Sequence, residues 1–142
     1  MTIPPPSLLE ARSSIRLPLY SSKVVAGFPS PADDHMERAL DLNEELIRNK
    51  TATFFARAQG DSMRDAGIND RAILIIDKAA TPTDGKIVVA LLDGQFTVKR
   101  LRKRSGRIFL VPANPDYNPI EVGEDQDFEI WGIVTAVINQ FS

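Results

Sequence analysis

Short apolar runs separated by turn residues dominate the chain from residue 51 onward, a pattern typical of a β protein. The run at 72–77 (AILIID) is almost continuously apolar, as expected of a strand that is buried on both faces. Asp93-Gly94 separates two further runs and predicts a β-hairpin, because both residues tolerate the positive φ angles of a tight turn. The predicted strands are 53–59, 72–77, 87–92, 95–101, 107–111 and 127–138. We therefore predict a compact, mostly β domain.

Residues 1–32 differ from the rest because they hold six of the ten prolines in the chain. Proline disfavours both helix interiors and central strands, so we expect an extended N-terminal arm. Short strands are expected within this arm at 14–17 and 23–25. The β-rich domain is then expected to span residues 33–142.

One segment, 33–49, has the spacing of an amphipathic helix. Apolar residues recur at helical intervals from Met36 to Ile47, and Asp33 and Asp41 are candidate N-caps. Because Asp41 can restart a helix, the segment is predicted to form one helix or two short ones.

The composition excludes several kinds of site. The 142-residue chain has no cysteine, which rules out disulfides, a cysteine nucleophile and cysteine-ligated zinc. It has one histidine, His35, so we expect no histidine metal site and no other cofactor. The net charge of −2 is too small to indicate nucleic-acid binding by bulk electrostatics. The longest apolar run, 87–92, is far shorter than the roughly 20 residues of a membrane-spanning helix, and the first residues lack the pattern of a signal peptide, so we expect a cytoplasmic protein.

Ser62 is a candidate nucleophile because it follows Gly60-Asp61 at the end of a predicted strand, where a tight turn presents its hydroxyl. The amides of Ser62 and Asp61 would then be placed to hold an oxyanion. Gly-Asp-Ser is also a common loop tripeptide whose usual role is a turn or a helix cap, so Ser62 alone does not define a site.

Lys99 is the candidate base. A serine nucleophile usually relies on a histidine base, and lysine is the known substitute where no usable histidine is present. The single histidine, His35, is expected to be an exposed surface residue. Alternation along the predicted strand 95–101 puts Thr97, Lys99 and Leu101 on one face. Burial on that face would lower the pKa of Lys99, because desolvation disfavours the charged amine. A strand lysine is otherwise an exposed residue without a catalytic role.

Ala26-Gly27 is a candidate substrate within the same chain. The segment 24–27 has extended propensity and ends in two small residues, which suit a shallow protease pocket. An ordinary linker strand followed by a turn has the same pattern.

A run of cations covers residues 99–107. Such a run suits a nucleic acid or an acidic partner, but no aromatic residues interleave it as a stacking platform would require. We therefore favour a solvated hairpin end.

Several motifs together resemble the UmuD family, and more widely the LexA-like self-cleaving serine peptidases. The resemblance runs from residue 17 to the C-terminus. The matching segments are 27–32 (GFPSPA), 41–43 (DLN), 60–63 (GDSM), 67–68 (GI) with Asp70, 85–99 (ending DGQFTVK) and 114–120 (NPxYxPI). One departure is Ala26-Gly27, the LexA-like pair, where UmuD proteins typically carry Cys-Gly.

This resemblance implies a curled β domain of the LexA and signal-peptidase type, with an extended arm and one or two short helices. It implies that Ser62 is the nucleophile, that Lys99 is the general base and that the chain cuts itself between Ala26 and Gly27. The implied stimulus is a RecA filament on single-stranded DNA. The implied partners are a second copy, in a homodimer, and a Y-family polymerase subunit that copies past lesions in the SOS response. The sliding clamp is a further candidate partner.

Two other functions stay open at this stage. One is a non-enzymatic regulatory binding module of a polymerase, which an exposed Lys99 far from Ser62 would indicate. The other is a signal-peptidase-like enzyme acting on other proteins, which shares the Ser/Lys chemistry but is disfavoured by the lack of a membrane anchor. A LexA repressor is not expected, because the 26 residues before the cut are too few for a helix-turn-helix domain.

Overall fold

Strands make up most of the regular secondary structure of the described residues, which confirms the fold class predicted from the sequence. The computed structural model describes residues 7–8, 15–20, 26–27 and 36–141. Within these ranges the strands are β1 (Ser7–Leu8), β2 (Leu17–Tyr20), β3 (Met36–Leu40), β4 (Thr53–Arg57), β5 (Ile73–Asp77), β6 (Ile87–Leu92), β7 (Gln95–Arg104), β8 (Arg107–Val111), β9 (Ile120–Glu121) and β10 (Phe128–Ile138). The chain divides into two units: one contains the described residues of 1–9 and 49–142, and the other those of 10–48.

The larger unit is built on an antiparallel sheet with the strand order β1-β4-β5-β10-β6-β7-β8-β9 in the described ranges. The predicted hairpin at Asp93-Gly94 is confirmed: these residues join β6 to β7 with φ angles of 48° and 81°. β7 continues to Arg104, beyond its predicted end at residue 101, because its last residues pair with β8. The basic run therefore lies toward the end of the β7–β8 hairpin.

The central strands separate two apolar clusters, one on each side of the β6–β7 ladder. Val89 and Val98, which lie opposite each other, belong to one cluster. Val88 and Leu101 belong to the other. Lys99 lies opposite Val88 and two residues before Leu101, so alternation places it on the second face, as the sequence predicted.

The smaller unit corrects the predicted helix at 33–49. Residues Met36–Leu40 form β3, which pairs antiparallel with β2, and the helix α1 covers only Leu42–Leu46. Pairing with β2 gives this stretch a ladder of main-chain hydrogen bonds, and such tertiary pairing overrides a weak helical preference. Asp41 is the N-cap, as predicted: its Oδ1 accepts a hydrogen bond of 2.9 Å from the Asn43 amide.

Some predictions for the N-terminal third fall outside the described residues: Asp33, the strand at 23–25 and the domain division at residue 32. The strand expected at 14–17 is displaced, because residues 15 and 16 lie outside any strand and β2 covers Leu17–Tyr20. Among the helices in the described ranges, none is long and apolar enough to cross a lipid bilayer.

Candidate active site

Ser62 and Lys99 meet in the interior of the larger unit. The Lys99 Nζ lies 3.2 Å from the Ser62 Oγ, although the two residues are 37 positions apart in the chain. Ser62 is 1% exposed and Lys99 is 5% exposed. The two side chains therefore form a contact that is largely shielded from solvent.

The start of the turn that carries Ser62 is shaped by glycine and by the Asp70 side chain. After β4, the chain turns at Gly60, whose φ of 89° is a conformation that glycine adopts without strain. The Gly60 amide donates to the Asp70 Oδ1 at 2.8 Å, which fixes the start of the turn. A 3-10 helix, Arg64–Ala66, follows, and Gly67 ends it in the left-handed region. Ser62 is thereby held between two points of reversal rather than within a strand.

Three acceptors surround the Lys99 amine. Its Nζ donates to the Thr97 Oγ1 at 2.8 Å and to the Val98 carbonyl at 3.1 Å, in addition to the Ser62 Oγ. Burial lowers the pKa of Lys99 below its ordinary value, because desolvation disfavours the charged amine. A neutral amine keeps a lone pair with which it can accept a proton from a neighbouring hydroxyl.

A second segment, which follows β8, holds the Ser62 turn from one side. The Ala113 amide donates to the Ser62 carbonyl at 2.8 Å. The Asn114 Nδ2 donates to the Asp61 carbonyl at 2.9 Å, and the Tyr117 hydroxyl donates to the Asp61 Oδ1 at 2.6 Å. The backbone on both sides of the Ser62 side chain is thus fixed by one short segment.

No role was predicted from the sequence for Thr97, Asn114 or Tyr117. Thr97 has a usable signal, because it lies two residues before Lys99 on the same strand and so faces the same way. Asn114 and Tyr117 belong to the quoted segment 114–120, but nothing in the sequence connects that segment with Asp61.

Ala26 and Gly27 belong to the smaller unit, where they form an exposed bend. The structure brings Ser62 and Lys99 together within the larger unit. Asp61, whose amide is the second predicted oxyanion donor, is exposed and directly precedes Ser62 in the turn.

Comparison with known proteins assigns the chain to a family. The family model described as Peptidase S24-like matches residues 18–135. The chain is 46% identical to Protein SamA of Salmonella typhimurium strain LT2 over 123 residues, which is 87% of this chain and 85% of SamA. It is 43% identical to Protein ImpA of Shigella flexneri over 125 residues, or 87% and 83% of the two chains. It is 42% identical to Protein MucA of Escherichia coli over 120 residues, or 84% and 82%.

The family model spans most of the chain, and the relatives align along most of both lengths. The chain therefore belongs to the Peptidase S24-like family, as a UmuD-like protein.

Proposed function

We propose that this UmuD-like chain is a self-cleaving serine peptidase of SOS mutagenesis, which cuts its own Ala26–Gly27 bond. Ser62 is the nucleophile and Lys99 is the general base. The observation that carries the proposal is the buried contact of 3.2 Å between the Lys99 Nζ and the Ser62 Oγ. The lowered pKa of Lys99 adds to it, because a base must be neutral before it can accept a proton.

The reaction has two steps. Neutral Lys99 accepts the hydroxyl proton of Ser62 while the Oγ bonds to the carbonyl carbon of Ala26. The bond from that carbon to the Gly27 nitrogen then breaks, and the proton passes from Nζ to this nitrogen, which leaves as a new amino terminus. Water hydrolyses the resulting ester, which frees the Ala26 carboxylate and restores the Ser62 hydroxyl.

The negative charge that develops on the Ala26 carbonyl oxygen needs hydrogen-bond donors. We assign this role to the backbone amides of Ser62 and Asp61, which lie in the turn that presents the nucleophile. Covalent attachment of the substrate raises the effective concentration of the target bond, so the docking of residues 26–27 at Ser62 is the step open to regulation.

Regulation and partners follow from the resemblance to UmuD proteins. A RecA filament on single-stranded DNA stimulates cleavage by favouring the docked arrangement rather than by supplying chemistry. The processed chain, as a homodimer in the cytoplasm, serves as an accessory subunit of an error-prone Y-family polymerase, with the sliding clamp as a further partner. The relatives SamA, MucA and ImpA support a place in this group of proteins.

The competing function, a binding module without enzymatic activity, would be supported by an exposed Lys99 remote from Ser62. The buried contact between these residues favours the peptidase instead. Burying a lysine costs desolvation free energy that a surface lysine does not lose, so a buried lysine without a chemical role would only destabilise the fold.

Self-cleavage at alkaline pH tests the proposal, since alkali deprotonates Lys99 without requiring a filament. Separate samples contain the purified full chain, one of the variants Ser62→Ala, Lys99→Ala and Lys99→Met, or one of two matched controls. Lys103→Ala removes an exposed lysine of the same strand, and Ser105→Gly removes an exposed serine whose φ of 49° suits glycine. The wild type and both controls are expected to yield the fragment 27–142. Cleavage of Ser62→Ala or of either Lys99 variant at the wild-type rate would show that the assigned pair is wrong.

A further inference from the structure

Asn114 holds the peptide group that links Asp61 to Ser62. We propose that Asn114 is a positioning residue for self-cleavage, which aims the Ser62 amide at the oxyanion. This inference rests on the proposed function, because it names what keeps the proposed oxyanion donor in place. Nothing in the mechanism above requires Asn114 to touch the substrate or the reacting atoms.

The peptide group between Asp61 and Ser62 is held at its carbonyl oxygen. A trans peptide is planar, and its carbonyl and its N–H point in opposite directions. The Asn114 Nδ2 donates to the Asp61 carbonyl at 2.9 Å, and the Arg64 amide donates to the same oxygen at 3.2 Å. Because these bonds fix the direction of the Asp61 carbonyl, they also fix the direction of the Ser62 N–H.

The Asn114 side chain is itself held in one orientation. It is 4% exposed, and its Oδ1 accepts a hydrogen bond of 3.0 Å from the Asp116 amide. The carbonyl end of the amide is therefore occupied by its own loop, which directs the NH₂ end toward Asp61. A carboxylate at this position would still accept the bond from the Asp116 amide. It would lose the bond to the Asp61 carbonyl, since it has no hydrogen to donate.

The peptide group after Ser62 is fixed from the same segment. The Ala113 amide donates to the Ser62 carbonyl at 2.8 Å, and the Ala113 carbonyl accepts from the Asp65 amide at 2.8 Å. The peptide groups before and after Ser62 are therefore both fixed, the first by Asn114 and the second by Ala113. A donor group placed in advance stabilises a developing charge more than one that must reorient.

Tyr117 supports the same turn through a side chain. Its hydroxyl donates to the Asp61 Oδ1 at 2.6 Å. This bond, together with the charge of Asp61, raises the pKa of Tyr117 above its ordinary value. The hydroxyl therefore keeps its proton to higher pH than an ordinary tyrosine does, so the turn keeps this support in mildly alkaline solution.

The role has a kinetic signature that general loosening of the fold lacks. Asn114 donates to the Asp61 carbonyl. The hydrogen bonds described for the Lys99 Nζ go to Ser62, Thr97 and Val98 and do not include Asn114. Its loss should lower the maximum rate and leave the midpoint of the pH–rate profile where it is. A change in the surroundings of Lys99 would move that midpoint.

The test compares pH–rate profiles of self-cleavage for the full chain, Asn114→Ala, Asn114→Asp and Tyr117→Phe, with Asn118→Ala as an exposed control in the same loop. We expect Asn114→Ala and Asn114→Asp to lose about 100-fold in maximum rate, the loss typical of removing one oxyanion donor, with an unchanged midpoint. Tyr117→Phe should lose less, and Asn118→Ala should match the wild type. A wild-type rate in Asn114→Asp, or a shifted midpoint in Asn114→Ala, overturns the proposal.

A second readout separates this inference from the proposed function. A fluorophosphonate probe phosphonylates a nucleophilic serine with loss of fluoride, and its phosphoryl oxygen, which carries partial negative charge, lies where the oxyanion would lie, without the Ala26–Gly27 bond. If the wild type does not cut itself but is labelled at Ser62, the proposed substrate is wrong, and a labelling rate about 100-fold lower in Asn114→Asp still supports the positioning role. Equal labelling of wild type and Asn114→Asp overturns that role, whatever the outcome of cleavage. A wild type that neither cuts nor labels overturns both.

Discussion

Lys99 lies directly opposite Val88 across the β6–β7 ladder, and both side chains are buried. A charged amine next to an apolar strand loses much of its hydration free energy. The three hydrogen bonds of the Lys99 Nζ recover only part of that free energy. Burial therefore lowers the pKa of Lys99 below its ordinary value. This relationship makes the chemistry and the stability of the protein depend on pH.

The free energy of unfolding should rise with pH because of Lys99. Burial lowers its pKa in the folded state below the 10.5 of the unfolded chain, so the unfolded chain binds more protons between those two values. In that window the stabilising contribution increases as pH rises. Urea unfolding of Ser62→Ala and of Ser62→Ala with Lys99→Met, at about pH 7 and about pH 10, measures the effect without self-cleavage.

The difference in unfolding free energy between these two proteins isolates Lys99, since every other titrating group is common to both. We expect the protein that retains Lys99 to gain on the double variant as pH rises. A difference that stays constant, or one that shrinks, contradicts a lowered pKa.

Thr97→Val should move the pH–rate profile of self-cleavage to lower pH. The Thr97 Oγ1 accepts a hydrogen bond of 2.8 Å from the Lys99 Nζ, and an acceptor at this distance stabilises the charged amine. Valine keeps the shape of the side chain and removes that acceptor, so the amine should lose its proton more readily. Cleavage rates across the alkaline range locate the midpoint.

Thr81→Val serves as the control for this substitution, because Thr81 is exposed in a loop. Its midpoint should coincide with that of the wild type. A Thr97→Val midpoint that does not move, or that moves to higher pH, would show that Thr97 does not stabilise the charged form.

Gly132→Ala should destabilise the larger unit. A Cβ at Gly132 would lie 2.6 Å from the Ile76 Cγ2 and 3.3 Å from the Asp77 carbonyl, so β5 and β10 would have to move apart. Overpacking of this kind typically costs about 1–3 kcal/mol. Thermal or urea unfolding in the Ser62→Ala background measures it.

Gly123→Ala is the matched control for that substitution. A Cβ there would meet the Gln126 Oε1 at 3.6 Å, an ordinary contact distance. Its unfolding free energy should stay within about 0.5 kcal/mol of the parent. Equal stability of the two glycine variants would contradict the close approach of β5 and β10.

The elements that the sequence predicts well are those fixed by neighbouring residues. Asp93-Gly94 specifies a hairpin because two residues suffice to define its turn, and the face of Lys99 follows from alternation alone. The prediction was wrong where a distant segment decides the structure: the stretch Met36–Leu40 has helical spacing, yet it pairs with β2.

The candidate site shows the same division. Ser62 and Lys99 were recognisable by residue type and motif, and alternation placed Thr97 on the face of Lys99, but the partners of the Ser62 turn were not recognisable. Asn114 binds Asp61 across 53 positions, and no local pattern reports such a contact. The sequence did not show that Lys99 is buried. Alternation identifies the face of the strand on which Lys99 lies, but it does not show what covers that face.

The masses of the fragments formed by the full chain at alkaline pH test the central claim most directly. If neutral Lys99 activates Ser62 against the Ala26–Gly27 bond, the wild type should give one pair of products, residues 1–26 and residues 27–142, and Ser62→Ala should give none. Products that end at any other bond, or the same pair from Ser62→Ala, would contradict this account.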